Sequence, residues 1–203
     1  MDSDALLEAR DVYKAFGRRG VLAGVSLTVR RGEIQGIVGE NGSGKTTLLR
    51  ILVGMLAPDQ GRISTRGGLG YCPQEPLVFE RLTVLENFAY FAAAYGLRSW
   101  RASAERLLGR LRFERDAGTR VAEVSGGTRQ KLNLALALFH EPALLLLDEP
   151  YSGFDWETYL LFWEEARALR TRGCGLVVVS HLVYDRSLID RYSTLVGGEL
   201  RCA

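Results

Sequence analysis

The stretch GENGSGKTT, residues 39–47, limits what this chain can fold into more than any other feature of its sequence. It satisfies the spacing G-x-x-x-x-G-K-[ST], follows the apolar run IQGIVG at residues 34–39 and precedes an apolar pattern of helical period. In such a turn the glycines let successive N–H groups point inward, and the N-terminus of the following helix adds partial positive charge. We therefore predict a phosphate-binding loop between a buried strand and a helix.

Two side chains of this loop have specific predicted roles. Lys45 is expected to contact the β- and γ-phosphates of a nucleotide, and Thr46 is expected to offer its hydroxyl to Mg²⁺. The other loop residues that we assign to nucleotide binding are Gly39, Asn41, Gly42, Ser43, Gly44 and Thr47. A phosphate loop alone fits kinases, GTPases, helicases and transport ATPases equally well, so other residues must decide the class.

Apolar strand-like runs alternate along the chain with longer helical patterns, which is typical of a mostly parallel sheet covered by helices. Strands are predicted at residues 6–12, 25–29, 34–38, 144–148, 176–180 and 193–196, and helices at residues 45–55, 84–95, 99–111, 128–139 and 156–170. The run LLLLD at residues 144–148 is apolar throughout and is expected in the middle of the sheet. Between residues 74 and 142 only helical patterns occur. We therefore expect one α/β domain over residues 1–203, with a helical subdomain inserted at about residues 75–138.

Composition narrows the possible functions. Of the 203 residues 47% are hydrophobic, enough for a full core, and 26 basic against 24 acidic residues leave a net charge of only +2. Without a large basic field, nucleic acid is not an expected partner. Three cysteines without metal-site spacing fit a reducing cytosol. No run reaches the roughly 18 apolar residues that a membrane span needs, so any membrane association is expected to come through a partner.

Polar side chains follow three of the apolar strand patterns. Asp148 and Glu149 end the run LLLLDE, and ligands in open α/β sheets bind at the carboxyl ends of strands. Asp148 is placed to hold Mg²⁺, and Glu149 to orient and polarise an attacking water. Gln74, which ends YCPQ, could touch Mg²⁺ and the water, and His181, which ends LVVVSH, could hydrogen-bond a γ-phosphate. On the residues alone, Gln74 is equally typical of a turn, and His181 of a helix cap or a surface position.

A second glycine-rich turn, VSGGT at residues 124–128, also runs straight into a helical pattern. Ser125, Gly126 and Gly127 would present a hydroxyl, backbone N–H groups and a helix N-terminus to an anion. One chain of this size therefore carries two candidate phosphate-binding turns.

These motifs, in this order, resemble those of the ATP-binding cassette (ABC) transporter family, and the resemblance covers nearly the whole chain. The matching segments are GENGSGKTT, the loop at Gln74, the signature VSGGT, the strand ALLLLDE, the loop YSGFD that ends in Asp155, and His181. VYKAFG resembles the family's adenine-stacking loop, with Phe16 at the aromatic position; a core aromatic is the alternative for Phe16. The resemblance implies a P-loop NTPase core of RecA-like fold, with a mostly parallel sheet, an N-terminal antiparallel β part and an inserted helical subdomain.

The same resemblance implies an ATPase, using ATP and Mg²⁺, that energises a separate integral membrane permease. The implied catalytic residues are Lys45, Gln74, Glu149 and His181, and the implied metal ligands are Thr46, Gln74 and Asp148. Two cassettes, identical or different, would face each other head to tail, so that each ATP lies between the phosphate loop of one chain and residues 125–127 of the other. Asp155 is also assigned to nucleotide binding. The protein would be cytoplasmic and would reach the inner face of the cell membrane only through the permease.

The chain departs from the family pattern at three positions. Val124 and Thr128 stand where the signature usually has Leu and Gln, and Tyr151 stands where a small Thr or Ser is common. We expect closure on ATP to survive, because Ser-Gly-Gly is retained. An ABC-type ATPase of a soluble machine is the alternative function. A cassette that only binds ATP is disfavoured because the catalytic set is retained, and a GTPase is disfavoured because no Asn-Lys-x-Asp motif occurs.

Overall fold

The computed structural model describes residues 4–181 and 186–202. The strands are β1 (Ala5–Phe16), β2 (Arg19–Arg30), β3 (Ile34–Val38), β4 (Gln60–Thr65), β5 (Leu69–Cys72), β6 (Leu144–Asp148), β7 (Gly175–Ser180), β8 (Arg191–Val196) and β9 (Glu199–Cys202). The α-helices are α1 (Lys45–Leu52), α2 (Val84–Tyr95), α3 (Arg101–Arg110), α4 (Gly126–Leu138) and α5 (Trp156–Thr171).

The strands form two sheets. β2, β1 and β4 make an antiparallel sheet in that order, and β5, β6, β7, β3, β8 and β9 make a six-stranded sheet. In the larger sheet each neighbouring pair from β5 to β8 is parallel, and β9 runs antiparallel to β8. The predicted fold class, a mostly parallel α/β sheet with an antiparallel N-terminal part, is confirmed.

Two apolar clusters cover the two faces of the six-stranded sheet. Leu145 and Leu147 of β6 face a cluster that includes α2, α3, α4 and α5, whereas Leu144 and Leu146 face a cluster that includes β1, β2 and α1. The expectation that β6 lies mid-sheet is wrong, because β6 is second from one edge and the middle pair is β7 and β3. Burial on both faces, rather than a central position, explains its unbroken apolar sequence.

Several boundaries differ from the sequence prediction for local reasons. α1 ends at Leu52 rather than at residue 55, because Gly54 follows in the left-handed region at φ 80°. α4 begins at Gly126 rather than at residue 128, because Ser125 is its N-cap. The prediction omits β4, whose sequence QGRIST is mostly exposed and has no apolar period; pairing with β1 holds it. β5 and β9 are four residues long and too short for periodicity, so no bounds are predicted for them, although YCPQ is predicted to end a strand.

Between β5 and β6 the chain forms α2, α3 and α4 and two 3₁₀ turns, Glu114–Asp116 and Val121–Glu123, where the sequence analysis expects a helical insertion. α2 starts with a capping box, in which Thr83 Oγ1 accepts from the Glu86 N–H at 3.1 Å and the Glu86 carboxylate accepts from the Thr83 N–H at 2.7 Å. In the part of the chain that the structure describes, we find no helix with the length and apolar character of a membrane span.

Candidate active site

The phosphate loop connects β3 to α1 and requires glycine at two positions. Gly44, the N-cap of α1, has φ 105°, and a Cβ there would stand 3.0 Å from both the Cγ1 and the carbonyl oxygen of Val21. A Cβ on Gly39 would stand 2.6 Å from the carbonyl oxygen of Leu195. No side chain within residues 4–181 and 186–202 caps α1, so the N–H groups of its first turn are available to an anion.

Lys45, the first residue of α1, folds back onto the loop. It is buried, and its Nζ donates to the carbonyl oxygens of Gly39 at 2.6 Å and Glu40 at 3.0 Å. Both acceptors are neutral carbonyl oxygens. A phosphate oxygen would be the better acceptor, because hydrogen bonds between charged groups are about twice as strong as neutral ones.

Asp148 ends β6 with a buried carboxyl group. The residue is 1% exposed, and burial raises its pKa, an effect that a hydrogen bond with Thr46 opposes. Its Oδ2 atom has no hydrogen-bond partner among the described residues. A buried carboxylate oxygen without a partner, beside a hydroxyl, fits a divalent cation that prefers oxygen ligands.

The donor set also fits Mg²⁺ in particular. Mg²⁺ is usually held by one or two carboxylates together with substrate phosphates, rather than by a cage of protein ligands. Within the two described ranges no group of three or more His, Cys, Asp or Glu side chains could hold a metal by itself. A Mg²⁺ ion at Asp148 would take its remaining ligands from nucleotide phosphates and water.

Glu149, the next residue, has a strained backbone. Its φ is 50°, in the left-handed region that non-glycine residues rarely adopt, and such strain is typical of functional sites. Its N–H donates to the Val179 carbonyl at 2.9 Å. Its Oε2 accepts from the Ser180 hydroxyl at 3.0 Å, and its Oε1 lies 2.9 Å from Nδ1 of His181. The structure thus joins Glu149 and His181, whose side chains are 7% and 59% exposed.

One cleft of about 480 Å³ is lined by most of the predicted site residues. These are Phe16, Asn41, Gly42, Gly44, Lys45, Thr46, Thr47, Gln74, Asp148 and Glu149. Phe16 ends β1 and is 53% exposed, so it is not a core residue. An exposed aromatic ring on the same cleft as the phosphate loop is able to stack on a base.

A second cleft also borders the phosphate loop. It measures about 990 Å³, is lined by Gly39, Ser43 and His181, and shares Asn41 and Gly42 with the first cleft. The Ser43 hydroxyl is buried and has no hydrogen-bond partner in the described part of the chain. Gly39 and Ser43 therefore belong to the loop but do not line the cleft that contains Lys45 and Asp148.

A third cleft contains the predicted residue Asp155. It measures about 480 Å³ and is also lined by Glu149, Tyr151 and His181. Asp155 is the N-cap of α5: its Oδ1 accepts from the Thr158 N–H at 2.7 Å, and this bond lowers the pKa of Asp155. The large ring of Tyr151, one of the departures from the family pattern, packs between α5 and this cleft.

The signature turn packs next to the loop that lines the third cleft, because a Cβ on Gly127 would stand 3.1 Å from the carbonyl oxygen of Gly153. Ser125, Gly126 and Gly127 line none of the three clefts that the described residues form. Ser125 Oγ accepts from the Thr128 N–H at 3.1 Å, and the Ser125 hydroxyl donates to Thr128 Oγ1 at 3.1 Å. Ser125 and Gly126 are exposed.

Four residues around the site are not identified by the sequence analysis: Arg19, Gln130, Asn133 and Ser180. Arg19 lines the first cleft, and nothing in the sequence distinguishes it from the many other arginines. Gln130 and Asn133 are buried polar residues in the otherwise apolar part of α4, a pattern that could have marked them. Ser180 directly precedes His181 at the end of an apolar strand, which is a weaker signal.

Comparisons with known proteins identify the family of this chain. Residues 22–152 match the family model described as ABC transporter. The chain is 35% identical over 207 residues to Nod factor export ATP-binding protein I of Rhizobium etli, covering 95% of this chain and 66% of that protein. It is 36% identical over 209 residues to the protein of the same name from Burkholderia lata, covering 96% and 69%. The chain thus spans about two thirds of the length of these relatives.

A solved structure described as the ATP-binding subunit of an ABC transporter is also similar to this chain. Its TM-score is 0.88 at 30% sequence identity, and the match covers 96% of this chain and 88% of that one. The likeness therefore extends over nearly the whole chain.

Proposed function

The chain belongs to the ABC transporter family, and on that premise we propose that it binds and hydrolyses ATP to energise a separate membrane permease. The observation that most supports this function is the first cleft, which joins Phe16, Lys45, Asp148 and Glu149. It combines an aromatic platform, an ammonium group and two carboxylates around the space that one nucleotide would fill. The names of the relatives, which include the word export, favour an exporter.

ATP would bind along this cleft. The Phe16 ring would stack on the adenine without reading its hydrogen-bonding groups, so discrimination between ATP and GTP would be weak. The N–H groups of the phosphate loop and the N-terminus of α1 would hold the phosphates. Lys45 Nζ would exchange its two carbonyl acceptors for β- and γ-phosphate oxygens. Thr46, Gln74 and Asp148 would hold Mg²⁺, which supplies charge neutralisation at the phosphates.

Glu149 would orient and polarise the water that attacks the γ-phosphate. Each of its oxygens already has one hydrogen-bonding partner, Ser180 or His181, and a carboxylate oxygen has a further lone pair for a water. Because these contacts fix the carboxylate, a bound water would need little further ordering. With Nδ1 of His181 donating to Glu149, Nε2 can donate to a phosphate only when the ring carries both protons.

A second cassette would complete the site. Ser125, Gly126 and Gly127 would contact the γ-phosphate held by the other chain, in a head-to-tail pair of identical or different chains. Ser125 is exposed and does not line the cleft that contains Lys45 and Asp148, which supports this arrangement. Closure would depend on the charge that hydrolysis removes, so ATP would hold the pair together and its cleavage would release it. Asp155 would lie near this contact.

The permease would dock on aromatic side chains that follow Gln74 in the chain. Phe79, Tyr90 and Tyr95 are exposed, and the rings of Phe79 and Tyr90 lie 4.3 Å apart. Phe88, by contrast, is fully buried, so the aromatic run of α2 is divided between the core and the surface. Through this contact a single ATPase domain of residues 1–203 would lie at the cytoplasmic face of the membrane.

Glu149→Gln tests this function. Gln keeps the size of the side chain but cannot polarise a water as a carboxylate does, so turnover should fall about 10²- to 10⁴-fold while ATP still binds. With saturating Mg-ATP the variant should form a dimer, measured by size-exclusion chromatography with light scattering. The control is Glu164→Gln, which makes the same charge change at an exposed position of α5 and should behave like the wild type.

Two outcomes would contradict the proposal. Unchanged turnover in Glu149→Gln would exclude the role given to this carboxylate. A variant that binds ATP yet stays monomeric, even with a permease supplied, would exclude the shared site. When the tagged protein is purified from membranes, an integral membrane protein should copurify with it. An ATPase of a soluble machine should copurify with no such protein.

A further inference from the structure

Asn133 in α4 is a buried amide that holds the chain on both sides of Gln74. The residue is 3% exposed. Its Nδ2 donates to the carbonyl oxygen of Pro73 at 2.7 Å and to Sγ of Cys72 at 3.2 Å, and its Oδ1 accepts from the Leu77 N–H at 3.2 Å. The carboxamide therefore contacts backbone groups that immediately precede and closely follow Gln74.

The same helix also contacts the backbone at the end of β6. Nε2 of Gln130, one turn before Asn133, lies 3.4 Å from the carbonyl oxygens of Glu149 and Pro150. α4 starts at its N-cap Ser125, and a helix rises about 1.5 Å per residue, so Asn133 lies about 12 Å along the axis from the signature turn. One rigid helix thus carries the signature turn, a contact to the catalytic strand end and a contact to the Gln74 loop.

A second buried asparagine, Asn87 of α2, holds the far end of the same loop. Its Oδ1 accepts from the Phe79 N–H at 2.8 Å, and its Nδ2 donates to the carbonyl oxygens of Phe79 at 3.1 Å and Thr83 at 2.9 Å. Asn87 is as well satisfied as Asn133 and is fully buried. Its contacts, however, begin at Phe79, five residues beyond Gln74. The two asparagines are therefore suited to a controlled comparison. Asn133 binds the backbone on both sides of Gln74, whereas Asn87 binds it only beyond Gln74.

We propose that Asn133 is a positioning residue for Gln74. Because Asn133 links the Gln74 loop to α4, Gln74 would move in the cleft whenever α4 moves. The proposal rests on the proposed function and adds a residue to it. When the signature turn moves to meet a nucleotide on the other cassette, α4 moves with it, and Asn133 carries the Pro73 and Leu77 backbone along. Gln74 would then reach its working place beside the metal and the water only in the closed pair.

The chemistry of the carboxamide explains why asparagine suits this position. It supplies a donor and an acceptor from one planar group, and the Pro73 carbonyl and the Leu77 N–H need one of each. A carboxylate at position 133 would keep the acceptor for Leu77 but would face the Pro73 carbonyl without a donor. An aliphatic side chain would leave both partly buried backbone groups without this partner, which would cost free energy.

A double-mutant cycle on turnover tests the proposal. Asn133→Ser should lower kcat about tenfold, because misplacing a catalytic group by about 1 Å can cost up to hundredfold, and should leave KM for ATP within about twofold. In a Gln74→Ala background Asn133→Ser should have almost no further effect, since the residue acts through Gln74. Asn87→Ser is the matched control. Any loss of kcat that it causes should be the same in the wild type and in the Gln74→Ala background.

Amide hydrogen exchange gives a second measurement that needs no nucleotide. In the wild type the Leu77 amide should be protected, in Asn133→Ser it should exchange at least about tenfold faster, and in Asn87→Ser it should remain protected while the Phe79 amide loses protection. Asn133→Asp, which keeps the Leu77 acceptor, should retain Leu77 protection but lose kcat. If none of the Asn133 variants folds, protection of Leu77 in the wild type decides whether the tether exists.

The outcomes separate this proposal from the proposed function. A wild-type protein without ATPase activity, or a Gln74→Ala variant with normal activity, would count against the proposed function, and the exchange measurement would still test the tether. With an active wild type and an impaired Gln74→Ala variant, additive effects of Gln74→Ala and Asn133→Ser would overturn the role of Asn133. Equal losses of kcat in Asn133→Ser and Asn87→Ser, or an unprotected Leu77 amide in the wild type, would overturn it as well.

Discussion

The phosphate loop and the signature turn share a local design, a glycine-containing turn that leads directly into a helix, but their helix N-caps differ. At α1 the N-cap is Gly44, which has no side chain to cap the helix. At α4 the N-cap is Ser125, whose Oγ accepts from the Thr128 N–H. The first helix therefore leaves its N-terminal N–H groups to a ligand, whereas the second satisfies one of its own.

The surroundings of the two turns differ as well. The phosphate loop lies on a cleft with the Lys45 ammonium group and the buried Asp148 carboxylate. Ser125, by contrast, is exposed and lines none of the three clefts that the described residues form. A helix N-terminus attracts anions, but the attraction is modest until other charges and a closed surface complete the site. In the proposed pair of cassettes, the other cassette would supply that surface.

Lys45→Ala should have the largest effect in this comparison. It removes the one cationic side chain of the phosphate loop, and losing charged hydrogen bonds of about 1.5–3 kcal/mol each should weaken ATP binding about hundredfold. Lys131→Ala, on the signature helix, is the control and should change the affinity less than about twofold. Isothermal titration calorimetry with ATP measures both, and equal losses would contradict the distinction between the two turns.

Gly44→Ala and Gly126→Ala should separate the two turns by backbone geometry. At Gly44 an alanine meets positive φ and the close Val21 contact, so a cost of about 1–3 kcal/mol should lower ATP affinity about tenfold. At Gly126 a Cβ has no atom within 4 Å, so ATP binding to a single cassette should not change. Thermal unfolding and ATP titration of both variants give the comparison. If Gly44→Ala had the stability and ATP affinity of the wild type, the loop would not need this backbone conformation.

Ser125→Ala should affect stability modestly and turnover more. Loss of an N-cap costs about 1 kcal/mol, whereas ATP binding to one cassette should stay unchanged, because Ser125 does not line the cleft that contains Lys45. Thr83→Ala removes the cap of α2 and should cost a similar amount without lowering turnover beyond the loss of folded protein. Urea unfolding and steady-state ATPase assays distinguish them. If both variants lose turnover equally, Ser125 is only a cap.

Thr128→Val should have the smallest effect. It keeps the shape of the side chain but removes the oxygen to which the Ser125 hydroxyl donates, so the free energy of unfolding should fall by at most about 1 kcal/mol. Turnover should change less than about twofold, because Ser125 still caps α4 through the Thr128 N–H. Urea titration monitored by circular dichroism is the measurement. A large loss of turnover would show that the hydroxyl pair orients Ser125 for the nucleotide.

Local patterns in the sequence predicted some elements to the residue. The strand at residues 34–38, the strand at residues 144–148 and the helix at residues 84–95 have the predicted bounds, because apolar runs, glycines and caps act within a few positions. β4 could not be predicted in this way, since an exposed polar strand is held by its partner β1 rather than by its own pattern.

The amino-acid sequence by itself determined that a phosphate loop follows a buried strand, that acids end a second strand, and that a glycine-rich turn begins a helix. Each of these depends on neighbours along the chain. Only the tertiary structure decided which side chains meet: parallel pairing of β6 with β7 brings Ser180 and His181 to Glu149 from 31 and 32 positions away. Packing of α4 brings Asn133 to Pro73 across 60 positions. Such contacts follow from strand order and helix packing, which no local pattern encodes.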